Sequence, residues 1–304
     1  MRFPVNILSF SGAPRIIGLL AAGVASTLVL FGCSAVKLAY NQMPDLGYFY
    51  LDNYLDFNSA QSTQVKDELV KLQAWHRQNQ LPAYVDSLQK WKTEVTADIS
   101  PARACTIYSD VRRKVLTITD HAEPAIASLA GTLDQDQLAY MQKRFDKSNA
   151  EFRNDYIEAA PKASRKKRVN QAVERAEKLY GQLEDRQLAL VTQSVDQSRF
   201  DPRVVYAERV RRQRDLLQSL QNVVAAKSTS AQSLDKTRAM VKAVVERTVT
   251  SPDAAFRDYS EKFTQEGCRS FADLHNATTA EQRTHAVKTL AKYEEDFRTL
   301  MARN

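Results

Sequence analysis

The sequence predicts an all-α protein, a multi-helix bundle of roughly nine or ten helices behind a cleaved N-terminal export signal. Three observations carry this. Glycine is sparse: of eight in the chain, only Gly47, Gly131, Gly181 and Gly267 follow residue 32, too few for the many tight turns of a sheet-rich fold. Apolar residues recur at steps of three and four. The breaks between such stretches carry helix-start chemistry. With 43% hydrophobic and 26% charged residues in 304, the chain can build a sizeable core.

The elements follow in order. Residues 1–15 carry Arg2 and Arg15 with no acid, and Ile16 to Phe31 are sixteen residues without a charge. This is the layout of an export signal, and a span of roughly 20 apolar residues would be needed to cross a bilayer. The run ends in "LFGC", residues 30–33. An apolar residue three before a cysteine, and a small one just before it, resemble the lipobox of bacterial lipoproteins. That resemblance implies cleavage after residue 32, diacylglycerol on the Cys33 thiol and an acylated, palmitate-type new amine. Such chains, at ~0.8 kcal/mol per buried methylene, hold a protein to a membrane stably. Ser34 in place of an aspartate implies sorting to the outer membrane, facing the periplasm.

Residues 33–57 are dense with Tyr40, Tyr48, Phe49, Tyr50, Tyr54 and Phe57, which no flexible tether would be. This membrane-proximal segment either packs on the body or lays its rings at the lipid interface. Asp45, Asp52 and Asp56 favour packing.

A helical domain follows, 58–304. Val65, Leu69 and Leu72 share a face, as do Tyr84, Leu88, Trp91 and Val95. Leu138, Met141, Phe145, Phe152 and Tyr156 form another stripe, then Val169, Val173, Ala176 and Tyr180, then Tyr206, Val210, Leu217, Leu220 and Val224. These are core faces. Ser100-Pro101, Asp201-Pro202 and Ser251-Pro252 each place a capping oxygen before a first-turn proline. Gly131 and Gly181 suit helix C-termini, and Thr278 with Glu281 has capping-box spacing for the last helix. "GTLDQDQLAYMQKRFDKSN" from Gly131 and "GQLEDRQLALVTQSVDQSR" from Gly181 share seven of nineteen residues. They read as a duplication or as one helix-turn-helix solution used twice.

The formal charge of +7 falls to +5 without Arg2 and Arg15, which is no basic stripe for nucleic acid. His76, His121, His275 and His285 lie far apart in sequence, without HExxH or a cysteine-histidine cluster, so no metal site or cofactor is expected. Cys105 and Cys268 would pair in an oxidising periplasm, or remain as two free core thiols. As a pair they close a loop of about 160 residues, worth about 5 kcal/mol in the chain-entropy model. No G-x-S-x-G and no glycine-rich phosphate loop occurs, and no catalytic residue is assigned. Arg165, Lys166, Lys167 and Arg168 sit near a helix start, where the macrodipole disfavours cations. They are a candidate site for anionic lipid or lipopolysaccharide, against a plain solvated turn. Arg209, Arg211, Arg212 and Arg214 flank Val210, with the first three pointing away from the apolar stripe.

From Cys33 nearly to its end the chain resembles a family of proteobacterial lipoproteins known as a domain of unknown function. The carrying residues are "CSAVKLAYNQ", "YLDNYLDF", "AWHRQNQLPAY", "KSNAEFRNDY" and "LHNATT", with Cys105 and Cys268 where that family has cysteines. Separately, "LDQDQ" at 133–137 and "LEDRQ" at 183–187 look like the LTxxQ element of small helical periplasmic stress chaperones, without its threonine. The expectation is a non-enzymatic binding or structural lipoprotein whose partner is an envelope protein or anionic lipid. A chaperone-like holdase and an envelope-polymer hydrolase are the alternatives.

Overall fold

The computed structural model describes residues 35–226 and 231–302. Among them there is no strand, and the fold is all-helical at 87% helix. The twelve helices are α1 (Ala35–Asn41), α2 (Met43–Leu55), α3 (Ser59–Asn79), α4 (Leu81–Glu94), α5 (Pro101–Thr132) and α6 (Gln135–Tyr156), followed by α7 (Pro161–Tyr180), α8 (Asp185–Asp196), α9 (Pro202–Ala226), α10 (Ala231–Val249), α11 (Ala254–Asn276) and α12 (Ala280–Met301). The count exceeds nine or ten because the aromatic segment is itself helical. Its rings do not fall on one stripe, so periodicity does not reveal α1 and α2.

Two apolar cores organise the helices. Leu55, Ala130, Leu133, Leu138, Met141, Leu217, Leu220 and Val224 gather the end of α2, the end of α5, α6 and α9. Leu88, Val95, Tyr180, Leu183, Val191, Leu274, Ala286 and Leu290 gather α4, α7, α8, α11 and α12. The two copies of the sequence repeat thus supply one core each. Leu133 and Leu183 occupy matching places, as do Leu138 with Leu188 and Met141 with Val191. Helix α5, whose Ala130 belongs to the first core, packs on α3, α9, α10 and α11. Cys105 on α5 and Cys268 on α11 are brought to disulfide distance, with Cα atoms 5.2 Å apart.

Helix boundaries follow the sequence with three corrections. Ser100 caps α5 by accepting from the Arg103 N–H, and Asp201 accepts from the N–H groups of Arg203 and Val204 at the start of α9. Ser251 does not cap α11; Asp253 does, while the Ser251 hydroxyl is buried and donates to Glu208. The box that opens α12 is Thr279 with Gln282 rather than Thr278 with Glu281, because the Thr278 hydroxyl donates back to the His275 carbonyl. Gly181 ends α7 at φ +76°, a backbone state open to glycine at little cost. Gly131 ends nothing: α5 continues through it to Thr132.

Candidate functional site

Four helices, α3, α6, α8 and α12, begin with a capping residue followed three positions later by glutamine: Asn58 with Gln61, Asp134 with Gln137, Glu184 with Gln187, Thr279 with Gln282. In each, the glutamine Oε1 accepts from the backbone N–H of the capping residue, at 3.1, 3.2, 2.9 and 3.0 Å. The four are buried and pair through space. Gln61 and Gln137 donate to each other's amide oxygens, and so do Gln187 and Gln282. Each Nε2 also donates to the carbonyl five residues before its partner glutamine: Thr132, Asp56, Ala277 and Gln182. Those carbonyls lie where α5, α2, α11 and α7 finish, so each clasp satisfies orphan groups at helix ends as well as itself. The 131/181 repeat marks half of each clasp in the sequence. The other halves share only the capping residue and the glutamine, which is the one signal that could have found them.

The N-terminal helices are fixed on the body by buried polar contacts. Lys37 Nζ lies 3.4 Å from an oxygen of Asp296, whose side chain is 4% exposed. The Tyr40 hydroxyl is 3.0 Å from His76 Nδ1, and His76 Nε2 is 3.3 Å from the Tyr84 hydroxyl. Burial holds the His76 pKa below its ordinary value, so the ring is neutral near pH 7 and one nitrogen accepts while the other donates. On α2, Tyr48 bonds Ser62 at 3.0 Å and lies under Lys66. Tyr54 packs on Phe145, and Asp52 accepts from the Phe57 N–H. At Gly47 a Cβ would meet Leu69 at 3.3 Å, so glycine lets α2 approach α3 closely. The opposite side of α1–α2 leaves Leu38, Met43, Leu46, Phe49 and Tyr50 exposed, Phe49 at 71%. Both readings of the segment's aromatic residues therefore have residues to draw on: one face packs, the other is uncovered by the described residues. No helix among these is long and apolar enough to cross a membrane. Cys33 and residues 1–32, which the sequence reads as an export signal, lie outside the described residues.

The basic turn at the start of α7 is more engaged than the sequence suggests. Arg165 forms a two-pronged pair with Asp196 at 2.6 and 2.7 Å, Lys167 pairs with Asp155 and lies over Tyr156, and Arg168 donates to the Val195 carbonyl and lies over Phe200. Lys166 is exposed and borders a shallow cleft with Lys162 and Asn170.

The arginines of α9 are a correction. Arg209, Arg211 and Arg212 do not form an outer surface: they are partly buried, and of the four Arg214 alone is exposed. Glu208, 5% exposed, accepts from Arg211 at 2.7 and 2.9 Å and from Arg212 at 2.7 Å. Burial pushes the Glu208 carboxyl up, and the hydrogen bonds from Arg211 and Arg212 more than offset this and hold it below the usual range. Arg209 reaches across to Asn149 and Ser148 on α6. Beside it a cleft of about 440 Å³ between α6 and α9 is lined by Gln142, Asp146, Arg153, Tyr206 and Arg214 among others.

The histidines are spread through the fold. His275, 1% exposed, has Nε2 at 2.8 Å from the Ala97 carbonyl and Nδ1 at 2.9 Å from the Tyr180 hydroxyl. A carbonyl only accepts, so the proton sits on Nε2 and Tyr180 donates to Nδ1. Burial lowers the His275 pKa and raises that of Tyr180. His121 stacks on Trp75 with ring centroids 3.7 Å apart, and His285 lies beside Gly181. Among the described residues no three of His, Cys, Asp and Glu come together as a metal set. Glu294 is drawn down to about 2 by hydrogen bonds from Lys92 and Arg298.

These features define an all-α protein of two cores, each closed by a reciprocal glutamine clasp. The chain belongs to the family of unknown function DUF6279, which matches residues 53–242. That span takes in Gln61, Gln137, Gln187 and Cys105, and leaves Tyr40, Cys268 and Gln282 outside. No curated protein and no solved structure matches the chain.

Proposed function

We propose that the chain is an exported lipoprotein, anchored through Cys33 to the periplasmic face of the outer membrane, where it serves the envelope by binding rather than by catalysis. The observation that carries this reading is the docking of α1. Only two residues after the lipobox-type cysteine the helical body begins, and Lys37 and Tyr40 are already tied to Asp296 and His76. A protein meant to swing on a tether has no use for buried contacts there. The Cys105–Cys268 pair suits an oxidising compartment. The carboxylates Glu208 and Glu294 are held ionised by basic neighbours, whereas a hydrolytic acid needs a raised value.

Density-gradient fractionation of cells expressing the full chain tests the proposal. The chain should band with outer membranes, and Cys33→Ser should leave an uncleaved precursor in the inner-membrane fractions. A wild-type chain recovered in the soluble fraction, or a Cys33→Ser chain processed and distributed like wild type, would refute it.

A further inference from the structure

We propose that the outward face of α1–α2, centred on Leu46, Phe49 and Tyr50, lies in the plane of the bilayer interface and contacts lipid directly. This rests on the anchoring at Cys33 proposed above.

Helix α2 reads "MPDLGYFYLDNYL". At about 100° per residue, Met43, Leu46, Phe49 and Tyr50 fall within roughly a third of the helix circumference. Tyr48 and Leu55 fall on the opposite side, turned to α3 and α6. A helix apolar on both faces is stable only when both are covered. The body covers one. The other keeps Met43, Leu46, Phe49 and Tyr50 exposed, and Leu38 on α1 adds 62% exposure just upstream.

Chain length points to what covers it. Cys33 precedes the first described residue, Ala35, by two positions, and two residues of chain reach at most about 7 Å. An acyl-bearing sulfur at the bilayer surface therefore holds the start of α1 at that surface. Because Lys37, Tyr40, Tyr48 and Tyr54 fix α1 and α2 to the body, the exposed face is presented there without further ordering. Its chemistry fits: a tyrosine and a phenylalanine among leucine and methionine suit the headgroup–acyl boundary, where rings with one polar tip concentrate.

The same sequence selects the kind of lipid contact. α2 contains no lysine or arginine, and its two acids are Asp45 and Asp52; Asp52 is already occupied by the Phe57 N–H. The contact is made by apolar insertion, so it needs no anionic headgroup and resists salt.

The acylated full chain, reconstituted in phosphatidylcholine vesicles, tests this with an added tryptophan read as a difference from wild type. Phe49→Trp should emit to the blue and be quenched several-fold more by lipids brominated in the acyl chain than Val111→Trp on α5. It should stay so in high salt. Emission from Phe49→Trp that iodide in the water quenches and bromolipid does not would overturn the proposal. So would shielding from both quenchers with the protein eluting as a dimer, which would make a second copy the cover. Leu46→Glu/Phe49→Glu, on exposed positions, should leave the helical signal unchanged. In a chain of residues 34–304, which carries neither acyl groups nor the apolar run 16–31, it should abolish the salt-resistant vesicle binding that the unsubstituted 34–304 chain retains, and equal binding by both would count against the face. Acylation is read separately by mass: an acylated chain with a water-accessible Phe49→Trp loses this inference and keeps the anchor, and an unacylated chain with a bromolipid-quenched Phe49→Trp does the reverse.

Discussion

Gln61 and Gln137, 76 residues apart in sequence, donate to each other's amide oxygens at 3.1 and 2.7 Å. Each also takes the N–H of its own helix's capping residue and caps the end of the helix that precedes the other. Gln187 and Gln282 repeat the arrangement at 2.6 and 2.8 Å. Every amide donor and acceptor in the two clasps is thus occupied away from water.

Removing one member leaves buried polar groups of the others unpaired. Gln137→Ala leaves the Gln61 amide and the Leu55 and Asp56 carbonyls without their partner, and should cost about 2 to 4 kcal/mol. Gln187→Ala should cost a similar amount. Urea unfolding measures both, and Gln61→Leu/Gln137→Leu should cost clearly less than the sum of its single changes.

Glu208 binds two arginines and Ser251 below the surface. Glu208→Ala leaves Arg211 and Arg212 without their shared carboxylate and should destabilise by about 3 kcal/mol or more. An exposed control such as Glu158→Ala, whose pair with Arg153 is half in solvent, should change stability by less than about 1 kcal/mol. Thermal unfolding separates the two.

Much of this was legible in sequence, and the losses share a cause. The all-α class, the starts of α5 and α9, and the paired stretches at 131 and 181 follow from local pattern, because caps and stripes are local physics. The clasps were half visible. Gln61 and Gln282 meet their partners only through space, and their flanks differ from the repeat. The arginines of α9 were misplaced because a helical wheel scores Val210 as inward and arginine as outward, whereas the neighbouring acid Glu208 is itself buried and turns Arg211 and Arg212 with it. The face of α1–α2 gave no periodic signal, since apolar residues on both sides of α2 cancel the stripe.

Reduction should weaken the fold. The loop closed by Cys105 and Cys268 spans 163 residues, for which the chain-entropy model gives about 5 kcal/mol. Cys105→Ser/Cys268→Ser should melt well below the oxidised protein. Alkylation of the unreduced, unfolded chain should label neither cysteine; labelling of both would contradict the pairing.

Acid should destabilise the protein first through its histidines. Burial lowers the pKa of both His76 and His275 in the fold, so below the free value of about 6.5 the unfolded chain binds more protons. Their contribution is fully present above that pH and is lost as pH falls through the folded values. A second loss follows below about 4.5, where Glu294 is protonated more readily in the unfolded chain than in the fold, in which it titrates at about 2. Melting temperatures taken from pH 8 to pH 5 should fall, and His76→Gln should flatten part of that slope.

Anchoring at Cys33 is decided by the intact mass of the protein recovered from cell membranes. The expected species is a polypeptide that begins at Cys33 and carries a diacylglyceryl group and an acylated amine. A chain that retains residues 1–32, or one with a free thiol at Cys33, would contradict it.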